Sequence, residues 1–336
     1  MDPVSQAALG AAWAQPLART PSRILAIALG ACAGMAADLD TLIRSDTDPL
    51  LALEYHRHFT HSLVFIPAGA LVCALVAHLL LRSRLSLRSC YTYCVLGFAS
   101  HGLLDACTSY GTMLFWPFSD MRVAWNLVSV IDPLFTGPLI VGVLVGARSN
   151  KRKPVLVGLG WCVLYLSVAA MQNMRATAVA TELATSRGHV GADIVAKPSF
   201  ANLLVWKIFY AWDGGLYIDA VRVGFESALF EGERLSQLVP ERDFPWLPEQ
   251  SQQRRDVDRL YDFANGFVAV DRESDNRVMD VRYSLVPNRG DGFWGLELDP
   301  EAGADTHAAY VTMRLRTMAE GRELLRMMFQ GEKVND

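Results

Sequence analysis

The chain has no strong positive field. Its 31 Lys and Arg residues are outweighed by 35 Asp and Glu, a formal net charge of −4, and the basic residues fall in short clusters beside apolar runs. A nucleic-acid partner, which needs a basic stripe or patch, is excluded on that ground. Cysteine is scarce and unpatterned: the six, at positions 32, 73, 90, 94, 107 and 162, match neither a zinc knuckle nor a disulfide framework. Cys90 and Cys94 form a C-x3-C pair, but inside an apolar segment where a free thiol behaves as a small hydrophobe. The opening MDPVSQAALGAAWAQPL lacks the basic start and cleavage pattern of a signal peptide, and Asp2 opposes one, so this segment is expected to stay on the mature protein. Internal repeats and long low-complexity tracts are missing as well. Long apolar runs are absent after about residue 172.

What is present divides accordingly. A hydrophobic content of 51% is too high for an ordinary soluble domain, and a charged content of 20% too high for a pure membrane protein. The expected architecture is an α-helical polytopic membrane domain over 1–172, followed by a soluble α+β domain with an antiparallel sheet over 173–336. Five stretches qualify as membrane helices: 22–38, 62–81, 91–107, 130–147 and 154–172. The first and third are short against the ~20 residues of a full span. Arg19 and Arg23, then Arg82, Arg84 and Arg88, then Arg148, Lys151, Arg152 and Lys153 all fall on one side if all five segments cross. The excess of basic residues in short cytoplasmic loops assigns that side to the cytoplasm. The loops at 39–61 and 108–129 and everything after the fifth span then face the periplasm of a bacterial inner membrane.

In the soluble half, 203–212, 216–225, 267–271, 277–285 and 293–299 carry β-branched and aromatic residues with partial two-residue alternation, which predicts strands. Gly214-Gly215 and Asn288 to Gly292 supply turns, Pro240, Pro245 and Pro248 mark a looped connection, and helical patterns cover 249–264 and 316–330.

Ionisable residues in or at the mouths of membrane helices are costly and default to function. Asp38 and Asp40 end the first span, His56, Arg57, His58 and His61 precede the second, His101 and Asp105 lie in the third, and Asp132 opens the fourth. All of them map to the outer face. His101 and Asp105 are four apart and share a helical face, which suits ligation of one ion or a close pair; a buried His–Asp hydrogen bond is the plainer alternative. Three histidines within six residues at 56–61 suggest imidazole ligation, with an interfacial polar cap as the alternative, and His58 and His61 could share a helical face. The paired carboxylates of Asp38 and Asp40 suit metal ligation or a general base, and equally a solvated helix end. Asp132-Pro133 reads as an N-cap followed by proline in the first turn, with contact to a ligand histidine as the alternative. Gln6 is a poor ligand that can still hydrogen-bond nearby. His78 and His189 are set aside as structural or solvated.

Together MDPVSQAALGAA, ADLD at 37–40, HRHFTHS at 56–62, HGLLDACTSYGT at 101–112, WPFS at 116–119 and IDPLF at 131–135 resemble the LexA-regulated, membrane-bound metal-dependent hydrolases of bacterial inner membranes, over about the first half of the chain. The resemblance implies a metal-dependent hydrolase with Asp38, Asp40, His56, His61, His101 and Asp105 as metal ligands. The chain departs from the family where many members carry a histidine after DP-x-T: here Gln6 follows Ser5. The HxxxD pair is also similar to that of zinc-dependent phospholipase C, which points to phosphoester substrates.

The expected function is therefore hydrolysis of a phosphoester, in a lipid or envelope precursor met at the bilayer surface. Zinc is the first expectation from the His-rich donor set, with manganese or iron as alternatives. Asp40 or Asp105 would accept the proton of the attacking water, and Arg57 or Arg122 would offset developing charge. Tyr110, Trp116 and Phe118, in the same outer loop, could flank an acyl chain. Two other classes compete. A metal-stapled scaffold with a partner-binding outer domain predicts a closed ligand sphere. A transporter predicts polar residues continuing across the bilayer, and the inner halves of these spans nearly lack them.

Overall fold

The computed structural model describes residues 1–81, 84–313 and 318–329. Arg82 and the ends of the helical pattern at 316–330 lie outside the described residues. The chain divides into two compact units. The first holds residues 1–43, 55–171 and 200–202; the second holds 44–54, 172–199 and 203–336.

The first unit is helical: α1 (Pro3–Ala14), α2 (Arg23–Ala36), then, past the short α3 (Leu51–Tyr55), which falls almost wholly in the 44–54 segment of the second unit, α4 (Ile66–Leu81), α5 (Leu87–Ala106), α6 (Pro133–Ser149) and the start of α7 (Lys153–Ser186). Among the described residues, three helical stretches are long and apolar enough to cross a membrane: Thr20–Leu42, Leu63–Leu81 and Lys153–Ser186. Pro133–Ser149 is a shorter apolar helix. At ~1.5 Å per residue α5 is also ~30 Å long, but Ser100, His101 and Asp105 on it are buried and dilute its apolar character.

Sequence periodicity gave no sign of α1. Asp2 caps it, accepting from the Val4 and Ser5 amides, with Pro3 at its first position. Small residues then let three backbones touch: a Cβ on Gly10 would sit 2.2 Å from the Gly30 carbonyl oxygen, and one on Gly97 would sit 2.2 Å from that same atom. Side chains of ordinary size would hold these helices apart. Their contact brings Gln6 of α1, the end of α2 and His101 of α5 to one place.

The second unit opens with the remaining half of α7, whose Ala176 and Ala180 pack on Trp206, Ile208, Val221 and Val223 of an antiparallel sheet. That sheet runs in the order β1 (Val195–Pro198), β2 (Val205–Trp212), β3 (Gly215–Val223), β4 (Ser227–Ser236). Its other face, through Phe209, Leu216, Ile218 and Leu235, meets Ala269 and Met279 of a second sheet. The second sheet is β5 (Val268–Val270), β6 (Arg277–Asp280), β7 (Trp294–Glu297), β8 (Ala309–Thr312), again antiparallel. Helices α8 (Pro240–Asp243), α9 (Gln252–Phe263) and α10 (Met318–Phe329) complete the unit. The soluble part is α+β, as its pattern suggested, with two sheets where one was expected. The strands that the pattern left out are short, as β1 and β8 are, or charged and exposed, as β4 is with Glu231, Glu233 and Arg234 on the sheet edge.

Candidate metal centre

The end of α2 tightens into a 3-10 segment, Ala37–Leu42, which carries Asp38 and Asp40. The stretch 56–61 forms no regular helix face. It turns at Arg57, whose φ of 62° is left-handed, and then makes a single 3-10 turn, Phe59–His61. Asp40 fixes that turn: its Oδ2 accepts from the Arg57 amide at 3.0 Å and the Thr60 hydroxyl at 2.9 Å, while its Oδ1 lies 2.9 Å from His56 Nδ1. Gly102 lets the turn approach α5, since a Cβ there would meet the His61 carbonyl oxygen at 2.3 Å. His61 thus faces His101.

Both imidazoles are oriented from behind. His101 Nδ1 donates to the Gly34 carbonyl at 2.5 Å, and His61 Nδ1 lies 3.2 Å from Asp40 Oδ2. A carbonyl and a carboxylate only accept, so each Nδ1 carries the hydrogen. Neutral rings in that state direct two Nε2 lone pairs at one another across 2.9 Å. Asp38 Oδ1 joins them at 3.3 Å from His101 Nε2 and 3.5 Å from His61 Nε2, and Asp105 Oδ2 at 3.3 Å from His61 Nε2 and 3.6 Å from His101 Nε2. Four electron-rich atoms converge, and such a contact requires a proton or a metal cation between them. Burial by itself would lower the His61 pKa, but contacts with Asp105, Asp38 and Asp40 outweigh it and lift the imidazole to about 10. The pocket selects positive charge.

The donor set fits a divalent metal. Asp38, His61, His101 and Asp105 each offer a ligand atom, all within 4.8 Å of one another, and Asp38, Asp40 and His56 form a second such group. A buried oxygen beside them, Gln6 Oε1, lacks a hydrogen-bond donor among the described residues. A carboxylate behind His61 and a carbonyl behind His101 are what metal-binding histidines ordinarily have.

Other residues surround the cluster. Asp105 Oδ1 receives the Met1 amino group and Gln6 Nε2, so Gln6 does reach the site without being a ligand. Arg57 is buried, with Nε 3.1 Å from Asp105 Oδ2, one Nη donating to Thr108 Oγ1 at 2.7 Å, and its guanidinium over the Tyr110 ring. Arg122 donates to the carbonyls of His56 and Gly111 and braces the loop. Tyr110 packs on His56, whereas Trp116 lies tilted against His58 and Phe118 is exposed. His58 turns away from the cluster, its ring packed among Tyr55, Phe59 and Trp116. Asp132 caps α6 through the Leu134 and Phe135 amides and accepts from the Tyr165 hydroxyl at 2.8 Å. His78 lies against the Leu85 carbonyl, and His189 against Tyr210, Trp212 and Tyr217. Sequence reasoning missed Thr60, Thr108 and the Gly34 carbonyl, which carry no chemistry of their own and act only through their neighbours.

Residues 1–176 match the family model described as YdjM inner membrane protein. The inner membrane protein YbcI of Escherichia coli (strain K12) is 35% identical over 79 residues, which are 22% of this chain and 44% of that protein. The match therefore spans less than half of that relative's length. No solved structure matches.

Proposed function

The chain belongs to the YdjM inner membrane protein family, and on that premise we propose that it is a membrane-bound, metal-dependent hydrolase of phosphoesters, acting on a lipid or an envelope precursor. The observation that carries this reading is the pair of imidazole Nε2 atoms held 2.9 Å apart between two carboxylates. A divalent ion there, with zinc favoured by two nitrogen donors and manganese or iron as alternatives, would polarise a phosphoryl oxygen and acidify a bound water. His61, His101, Asp38 and Asp105 would hold it, and Asp40 and the Gly34 carbonyl would keep the rings in register. Arg57 would balance the negative charge of Asp105. The clusters at Arg19 and Arg23, at Arg84 and Arg88, and at 148–153 favour a cytoplasmic location for their ends of the helices, which leaves the metal centre and the second unit on the periplasmic side.

A second reading is a scaffold whose metal staples helices together. The full burial of His61, His101 and Asp105 favours it, since closed spheres are the mark of structural sites. Metal content and phosphoester turnover, measured together on detergent-purified wild type and a His101→Ala, Asp105→Ala double variant, separate the readings. Metal and turnover lost together support the hydrolase. Metal lost from a protein that never turns over supports the scaffold. No metal in folded wild type, even after reconstitution, overturns both.

A further inference from the structure

The buried cluster by itself leaves little room for catalysis. An ion bound by His61 Nε2, His101 Nε2, Asp38 Oδ1 and Asp105 Oδ2 has four protein ligands, and the side chains of His61, His101 and Asp105 are fully buried. Catalytic metal sites keep a coordination position open to water and substrate. The second group meets that need. Asp38, Asp40 and His56 offer three ligand atoms within 4.8 Å of one another, and the side chains of His56 and Asp38 are 23% and 22% exposed, respectively.

The hydrogen bonds divide the same way. Asp40 Oδ2 faces the Arg57 amide, the Thr60 hydroxyl and His61 Nδ1, whereas Oδ1 faces His56 Nδ1 at 2.9 Å. One oxygen serves the buried site and the other is turned to the outer one. Asp38 Oδ1 lies near the two Nε2 atoms, and Asp38 also belongs to the outer group. The left-handed turn at Arg57 is what sets His56 on one side of Asp40 and the Arg57 amide on the other.

We propose that the centre is binuclear: Asp38 bridges a buried structural ion and an outer ion held by Asp38, Asp40 and His56, and the outer ion carries the hydrolytic water. The proposal rests on the hydrolase reading and goes beyond it in ion count and in which ion does chemistry. The outer ion, which has three protein ligands and so keeps a position open, would acidify a bound water and polarise the phosphoryl oxygen of a phosphoester. Water adds its hydroxyl to phosphorus, the phosphorus–oxygen ester bond breaks, and the water's proton ends on the departing alcohol. No oxidant or further reactant is needed.

The test is zinc stoichiometry on the full chain in detergent, with bis(p-nitrophenyl) phosphate as the turnover probe, for wild type and for His56→Ala and His56→Gln. The expected result is two zinc ions per wild-type chain, one in either variant, and turnover at least a hundredfold lower in both. The wild-type count decides the first step without any variant. One ion per wild-type chain with turnover intact overturns the binuclear centre and leaves the hydrolase standing. Full turnover in both variants also overturns it. Two ions without turnover overturns the hydrolase reading and, with it, the role of the outer ion.

Discussion

Gly102 has no Cβ, and the carbonyl oxygen of His61 lies 2.3 Å from where one would be. That close approach sets the distance between the 56–61 turn and α5, and with it the 2.9 Å between the His61 and His101 Nε2 atoms. Gly102→Ala must push the turn outward. Overpacking of this kind costs about 1–3 kcal/mol, and ligands displaced by even ~1 Å lose their common focus. The expected outcome is a folded protein with a lower Tm and zinc affinity reduced more than tenfold, read by competition with a chelator.

Arg57 and Asp105 form a buried pair, Nε to Oδ2 at 3.1 Å. Removing one partner of a buried ion pair typically costs about 3–5 kcal/mol, because the other charge is stranded. A bound divalent cation would supply the missing positive charge. Arg57→Gln should therefore lower the Tm of metal-free protein sharply, and added zinc should raise the Tm of this variant by more than it raises that of wild type. Equal zinc-induced shifts would show that the ion and Arg57 do not share Asp105.

How much of this was legible beforehand follows from which forces leave a trace in sequence. Asp38, Asp40, His56, His61, His101 and Asp105 stand out because charge at helix mouths is rare, and the structure places them in two groups that share Asp38. α1 left no such trace. Its packing depends on Gly10 against Gly30, and small-residue contacts produce no hydrophobic stripe. The partnership of Arg57 with Asp105, 48 positions away, is a matter of tertiary approach that local spacing cannot express. The strands β2, β3, β5, β6 and β7 were visible through alternation, while β4 was hidden by the charges that protect an edge.

Lys197 and Lys207 sit directly opposite each other on β1 and β2, both buried. Lys197 lies 3.5 Å from the centroid of Tyr283, and Lys207 donates to Ser284 Oγ and the Arg289 carbonyl. Burial pushes Lys207 down to about 7, against the pull of Asp291, Asp280 and Glu233. Burial and the neighbouring Lys207 hold Lys197 well below its ordinary value. Between about pH 7 and 10 the unfolded chain keeps protons that the folded chain does not, so stability rises with pH, by up to about 1.4 kcal/mol per unit for each lysine. Below about pH 7 the contribution of Lys207 is flat. Lys207→Met should stabilise the second unit at pH 7 and roughly halve the slope, measured by chemical unfolding in detergent followed through tryptophan fluorescence.

Arg259 of α9 grips the segment 44–54 at two points. Its guanidinium reaches both Asp48 oxygens, at 3.0 and 2.9 Å, and both Glu54 oxygens, at 2.6 and 2.8 Å, while Asp256 stands behind it at 3.2 Å. Leu50 lies between those two carboxylates in sequence and is buried against Val257 and Leu260. Arg259 is 24% exposed, so solvent screens part of the attraction and the paired contacts together are worth about 1–2 kcal/mol. Arg259→Ala removes the grip and leaves Leu50 in place. Amide exchange over 48–54 should accelerate about tenfold, the factor that 1.4 kcal/mol corresponds to, while exchange in β2 and β3 stays at its wild-type rate. Leu50→Ala would add the loss of a buried side chain, about 2–5 kcal/mol, and should release the segment altogether. If exchange over 48–54 is unchanged in Arg259→Ala, Leu50 alone anchors the segment and the ion pairs are incidental.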